Sequence, residues 1–149
     1  MLGKRAEDYI EAIYELSKEK GFARVKEIAS ALGVKPATVS EMLEKLSEDG
    51  YVIYRKRFHV MLTEKGLELA KAVRDRREIL VKFLTTLGVS KEVAEKDACT
   101  IEHVLHPETV EQLRNFVKFI EESPAVNPRW LEHFREFCRT GKHPCNLIC

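Results

Sequence analysis

Cys99, Glu102 and His103 stand close together in the run Cys99-Thr100-Ile101-Glu102-His103. On a helix they fall at i, i+3 and i+4, which is one face. Together they offer a thiolate, a carboxylate and an imidazole, a ligand set that suits a transition metal. Near the N-terminus, Asp8 and Glu11 repeat the i, i+3 spacing with two carboxylates and are further candidate ligands. If the first helix packs across the helix carrying Cys99, Asp8 completes the site. A metal shared in this way fixes how the N-terminal half is oriented, which is a switch by preferential binding to one arrangement. A Cys–His pair at i, i+4 also suits a nucleophile and its base. No Gly-rich oxyanion loop accompanies the pair, and no general base stands apart from the ligands. The chain therefore reads as a non-enzyme without a small-molecule substrate.

A second group of donors lies at the C-terminus: Cys138, His143, Cys145 and Cys149. Four such groups can close a tetrahedral zinc site, and three thiolates can hold an iron–sulfur cluster. An alternative reading follows, in which these cysteines sense redox state or carry a cluster. With no secretory signal, the spacing favours metal binding or reduced thiols over disulfides.

A third constellation suits DNA. Residues 24–32 and a helix opening at Pro36, a favoured first-turn residue, flank Gly33, which permits a left-handed turn between them. Two strands follow, Tyr51–Tyr54 and Phe58–Leu62, around Arg55-Lys56-Arg57. Helix, turn, helix and hairpin make a winged helix-turn-helix. Ile28, Ala29, Leu32, Val39, Leu43 and Leu46 can pack beneath it. That leaves Lys35, Ala37, Thr38, Ser40 and Glu41 facing outward. Thr38 and Ser40 can bond phosphate, Ala37 can touch a thymine methyl, and Glu41 can accept from cytosine N4. Arg55, Lys56 and Arg57 suit backbone phosphates, with Lys26 a further contact.

The rest of the 149 residues must position these groups. With 44% hydrophobic and 33% charged residues, the chain should fold as a soluble globule. No run of about 18 apolar residues and no signal peptide is present, so the expected location is the cytoplasm, with no membrane partner. The net charge of +1 does not announce a nucleic-acid partner, but a modest basic excess falls on residues 20–65. Apolar periodicity predicts helices over about 5–20, 64–87, 91–105, 108–122 and 130–138, with Thr63 and Ser90 as N-caps. Trp130, Phe134 and Phe137 are expected to dock the last helix. The expected fold is mainly α: an N-terminal winged helix-turn-helix (1–65), an all-helical metal-binding and dimerisation domain (66–125), then a C-terminal helix and Cys-rich tail (126–149).

Taken together, the chain resembles the diphtheria-toxin-repressor family of metal-dependent regulators, in particular its short, manganese-transport-regulator-like branch. The resemblance spans about residues 5–122. It rests on Glu7-Asp8-Tyr9-Ile10-Glu11-Ala12-Ile13-Tyr14, Ala23-Arg24-Val25-Lys26-Glu27-Ile28-Ala29, Val39-Ser40, Leu62-Thr63-Glu64-Lys65-Gly66 and Ile101-Glu102-His103. It implies a homodimer that binds a palindromic double-stranded operator when metal is bound and represses metal-uptake genes. It also implies that no SH3-like domain fits within this length.

The resemblance makes Asp8, Glu102 and His103 metal ligands. Cys99 matches the iron-responsive branch, whereas Asp8 matches the manganese branch. The ligand set is thus a hybrid that points to Fe(II) or Mn(II), with Fe(II) slightly favoured because a thiolate suits Mn(II) poorly; Zn(II), Co(II) and Ni(II) are also compatible. Arg77 stands where the manganese branch has a histidine for a second metal, and a guanidinium cannot ligate a cation. Arg77, Val81 and Glu95 likewise replace the ancillary ligands of the iron branch. One metal is therefore expected in this core site, with Arg77 paired to Glu11.

Overall fold

The computed structural model describes residues 2–56, 59–125 and 127–144. The described residues form seven helices and a two-stranded sheet: α1 (Lys4–Ser17), α2 (Val25–Leu32), α3 (Pro36–Glu48), β1 (Val52–Tyr54), β2 (Val60–Leu62), α4 (Glu64–Thr86), α5 (Lys91–Ile101), α6 (Pro107–Glu121) and α7 (Arg129–Thr140). Contacts divide the chain into two units, Met1–Asp75 and Arg76–Cys149.

In the first unit, apolar residues at helical spacing on α1, α2 and α3 bury Ile10, Ile13, Ile28, Val39, Leu43 and Leu46 completely or nearly so. Each such side chain contributes on the order of 1.5–3 kcal/mol by leaving water. Ala70, on α4, joins this core. Gly33 ends α2 with φ +65°, the left-handed geometry expected of it, and lets α3 leave at an angle. Glu27 accepts the backbone N–H of Arg24 at 2.9 Å and pairs with Lys20. The Lys20 ammonium first, and that N–H second, hold its carboxyl below the usual carboxylate range.

β1 and β2 pair antiparallel, Val52 with Leu62 and Tyr54 with Val60. Ala23 adds a bridge to Val60 through bonds of 2.9 and 2.8 Å. The hairpin is thereby stitched to the segment that leads into α2. The expected winged helix-turn-helix is present.

The start of α4 shows why the wing sits where it does. Thr63 caps the helix as expected: its hydroxyl accepts the Gly66 N–H at 3.1 Å and donates to the Gly50 carbonyl at 2.6 Å. Thr63→Ala should cost about 1 kcal/mol, seen as a lower unfolding midpoint.

In the second unit, Ile79, Leu80, Ala94, Ala98, Val110, Val117 and Leu131 are buried. Phe83 meets Phe116 edge-on at 5.7 Å, and Phe116 lies 6.0 Å from Trp130. The anchor of α7 is Leu131, whereas Trp130 and Phe137 are exposed. The expectation that Phe137 docks the helix is therefore corrected. α7 turns a narrow face inward, and Phe137 falls outside it.

Two further expectations are corrected. Ser90 occupies the N-cap of α5 but makes no side-chain capping bond; only its carbonyl serves the helix, accepting from Ala94 at 2.9 Å. α5 ends at Ile101, not near residue 105. There the chain tightens into a turn in which Val104 N–H reaches back three residues to Ile101 at 3.0 Å. His106 is extended, as a residue before proline must be.

Candidate metal centre and DNA-reading surface

The earlier end of α5 alters the metal-ligand face. Cys99 lies in the last full turn, Glu102 is the C-cap with right-handed helical backbone, and His103 falls in the turn beyond. The three donors still follow one another around the C-terminal end of the helix. Cys99 is exposed, while the side chains of Glu102 and His103 have no exposed area. His103 Nε2 lies 3.2 Å from Glu102 Oε1.

A buried carboxylate needs a compensating charge. Arg77, from α4, supplies one. Its Nε donates to Glu102 Oε2 at 2.9 Å and one terminal nitrogen donates to Oε1 at 2.6 Å, a two-pronged charge-assisted pair. The same terminal nitrogen lies 3.8 Å from Cys99 Sγ. Sequence reasoning singled out Arg77 but did not assign it this partner. The pair joins residues 25 apart, Arg77 on α4 and Glu102 at the C-cap of α5. Glu11, named from the sequence as Arg77's partner, belongs to the other unit together with Asp8.

Among the described residues, no three His, Cys, Asp or Glu side chains stand close enough together to hold an ion as they are. The chemistry of the donor set nevertheless fits a divalent transition metal: thiol, carboxylate and imidazole share one helix end, and two of the three already face a cation. In the tail, Cys138 is exposed and the His143 ring lies 6.4 Å from that of Phe137. Cys145 and Cys149 lie outside the described residues.

The DNA-reading candidates occupy the surface of the first unit. Lys26, Lys35, Ala37, Thr38 and Glu41 are exposed on α2 and at the start of α3. Ser40 is partly buried, and its hydroxyl lies 3.3 Å from that of Tyr54, so α3 is tied to the wing. Arg55 and Lys56 are exposed beyond β1, while Arg57 lies outside the described residues. Lys56 reaches back to Glu44 of α3 at 3.0 Å, and that carboxylate raises its pKa. Lys56 thus carries a competitor for phosphate, an internal pairing that its sequence neighbours did not reveal. Lys35→Ala and Arg55→Ala should each weaken DNA binding uniformly across sequences. Each should also reduce the slope of log affinity against log salt by about 1, read from titrations at several salt concentrations.

Comparison with known proteins agrees with both halves. The family model described as "Iron dependent repressor, N-terminal DNA binding domain" matches residues 1–60. That described as "Iron dependent repressor, metal binding and dimerisation domain" matches residues 63–131. The HTH-type transcriptional regulator MntR of Bacillus pumilus is 44% identical over 117 residues, covering 78% of this chain and 81% of that protein. A solved manganese-dependent transcriptional repressor in complex with manganese aligns with a TM-score of 0.69 at 27% identity, over 83% of this chain and 57% of that one. ScaR with bound Zn2+ aligns with a TM-score of 0.64 at 32% identity, over 76% and 54%. The iron–sulfur alternative for the tail gains no support from these comparisons. Among the described residues, no helix is long and apolar enough to cross a membrane.

Proposed function

The chain belongs to the iron-dependent repressor family of metal-dependent transcriptional repressors, and from that premise we propose how its own residues gate DNA binding. One divalent metal, Fe(II) or Mn(II), is held by Cys99, Glu102 and His103 of the second unit together with Asp8 of the first, with Glu11 beside it. When bound, the ion supplies a positive charge that compensates these donors, and DNA binding depends on it. Cys99 tilts the preference toward Fe(II), while Asp8 and Glu102 keep Mn(II) acceptable. Zn(II), Co(II) and Ni(II) also suit this donor set.

The observation that carries this reading is the donor set at the end of α5, which combines a fully buried carboxylate, a buried imidazole and an exposed thiol. A buried carboxylate and imidazole side by side are costly unless a cation or a set of hydrogen bonds compensates them. The DNA-reading helix α3 presents Ala37 and Glu41 to base edges, and Lys26, Lys35, Thr38, Ser40, Arg55, Lys56 and Arg57 position the backbone.

The protein acts in the cytoplasm as a homodimer on a palindromic operator, and controls genes for metal uptake. The chain is organised as a DNA-reading domain (1–65), a metal and dimerisation domain (66–125) and a C-terminal helix with its tail (126–149). Val104, 72% exposed, and Phe119, 65% exposed, supply apolar area for the dimer contact in the second unit. The doubly substituted Val104→Asp, Phe119→Asp chain should sediment as a monomer and bind operator weakly; an unchanged dimer would exclude these residues from the interface.

The function itself is tested by selecting binders from a pool of randomised duplexes. With Mn(II) or Fe(II) present the pool should converge on an inverted repeat, and with chelator it should not. The same repeat enriched under both conditions would argue against metal gating.

A further inference from the structure

The Arg77–Glu102 pair does more than neutralise a buried charge. Both Glu102 oxygens and the Cys99 sulfur face one guanidinium: Nε on Oε2 at 2.9 Å, and a terminal nitrogen 2.6 Å from Oε1 and 3.8 Å from Sγ. Those are donor atoms that a divalent ion would need. The pair is well built, being two-pronged and charge-assisted, with Glu102 fully buried and Arg77 only 28% exposed. A guanidinium keeps its charge at every physiological pH and cannot itself become a ligand.

We infer that Arg77 is a tethered internal cation that competes with the metal for Glu102 and so sets the metal concentration at which the protein responds. This deepens the proposed metal site and rests on that reading. In the metal-free chain the guanidinium compensates Glu102 and keeps the end of α5 closed. Metal entry is then an exchange, in which a tethered +1 charge gives up carboxylate oxygens to a +2 ion. Apparent affinity is reduced by the fraction of chains in which Arg77 has already let go. The device raises the free-ion concentration needed for a response by the same factor for every ion, and it lets sensitivity be tuned at a residue that never touches the metal.

The test uses Co(II), because its thiolate charge-transfer absorbance reports Cys99 directly. The full chain is titrated as wild type, Arg77→Ala, Arg77→Gln and Arg77→Lys, with Cys99→Ser as the control. Removing the charge should raise Co(II) affinity at least tenfold in Arg77→Ala and Arg77→Gln, corresponding to a competent fraction of about one tenth in the wild type. Arg77→Lys, which keeps the charge but loses the fork, should fall between. Arg77→Gln retains a hydrogen bond for Glu102 and decides the matter if Arg77→Ala does not fold. Affinities within about twofold of wild type, or lower ones, would overturn the competition. Absence of the thiolate band in wild type would instead overturn the ligand set itself, so the two failures are distinguishable.

Discussion

His103→Ala and Cys99→Ala should each abolish metal-dependent DNA binding while leaving the fold intact. Both side chains sit at the end of α5, one buried and one exposed, and neither belongs to the apolar core of the second unit. Loss of an outer hydrogen-bonding partner alone typically weakens a metal site roughly 10- to 100-fold. Loss of a ligand should cost at least the upper end of that range. Metal affinity is read by titration calorimetry, and operator binding by fluorescence anisotropy at fixed metal. The substituted chains should bind duplex no better with metal than with chelator. Their helical circular dichroism should match that of the wild type. Glu102→Ala differs, because it also strips Arg77 of the carboxylate it grips at 2.6 and 2.9 Å. That change should lower the stability of the metal-free chain most, His103→Ala should lower it less by leaving a cavity at a buried position, and the exposed Cys99→Ala should leave it unchanged.

Gly66→Ala should be the most damaging single methyl addition in the first unit. A Cβ at Gly66 would lie 2.1 Å from the Tyr51 carbonyl oxygen and 3.2 Å from a methyl of Leu62. The first of these is backbone, held between α3 and β1, and cannot swing aside. The helix start would have to retreat from the hairpin, breaking the Thr63 bonds to Gly50 and Gly66. A cost of about 3 kcal/mol or more is expected, near the top of the range for overpacking. In a chain of this size that lowers the unfolding midpoint by on the order of 10 °C, measured by thermal circular dichroism. A drop of only a degree or two would mean that the wing and α4 can separate without penalty. Because the same contact sets the position of the wing, DNA affinity should fall even where the chain remains folded.

The DNA-reading half was legible because every local signal agreed. Gly33 marked the turn, Pro36 the helix start, the runs on either side of Arg55-Lys56-Arg57 the strands and Thr63 the next cap, and each is found in its expected role. The end of α5 was not legible. Ile101-Glu102-His103-Val104 continues a helical pattern up to the break at His106-Pro107, and nothing local signals that the turn tightens at Val104. The pairing of Arg77 was hidden for a different reason. A bond between residues 25 apart depends on how the chain packs, and the reading from sequence named Glu11, not Glu102, as the partner of Arg77. Lys56 was read as a phosphate contact, yet its pairing with Glu44 depends on the hairpin folding back toward α3. The donor types at 8, 99, 102 and 103, which we propose as ligands, were readable in the sequence. The cation already facing two of them was visible only in the packed chain.

The most direct test of metal-gated DNA binding is a titration of one duplex, the repeat enriched in the selection described above, with the wild-type chain. It is done with Mn(II) or Fe(II) in excess, and again after chelation. Apparent affinity should fall at least 100-fold on chelation and return when metal is restored. Equal affinity in the two conditions would contradict the account.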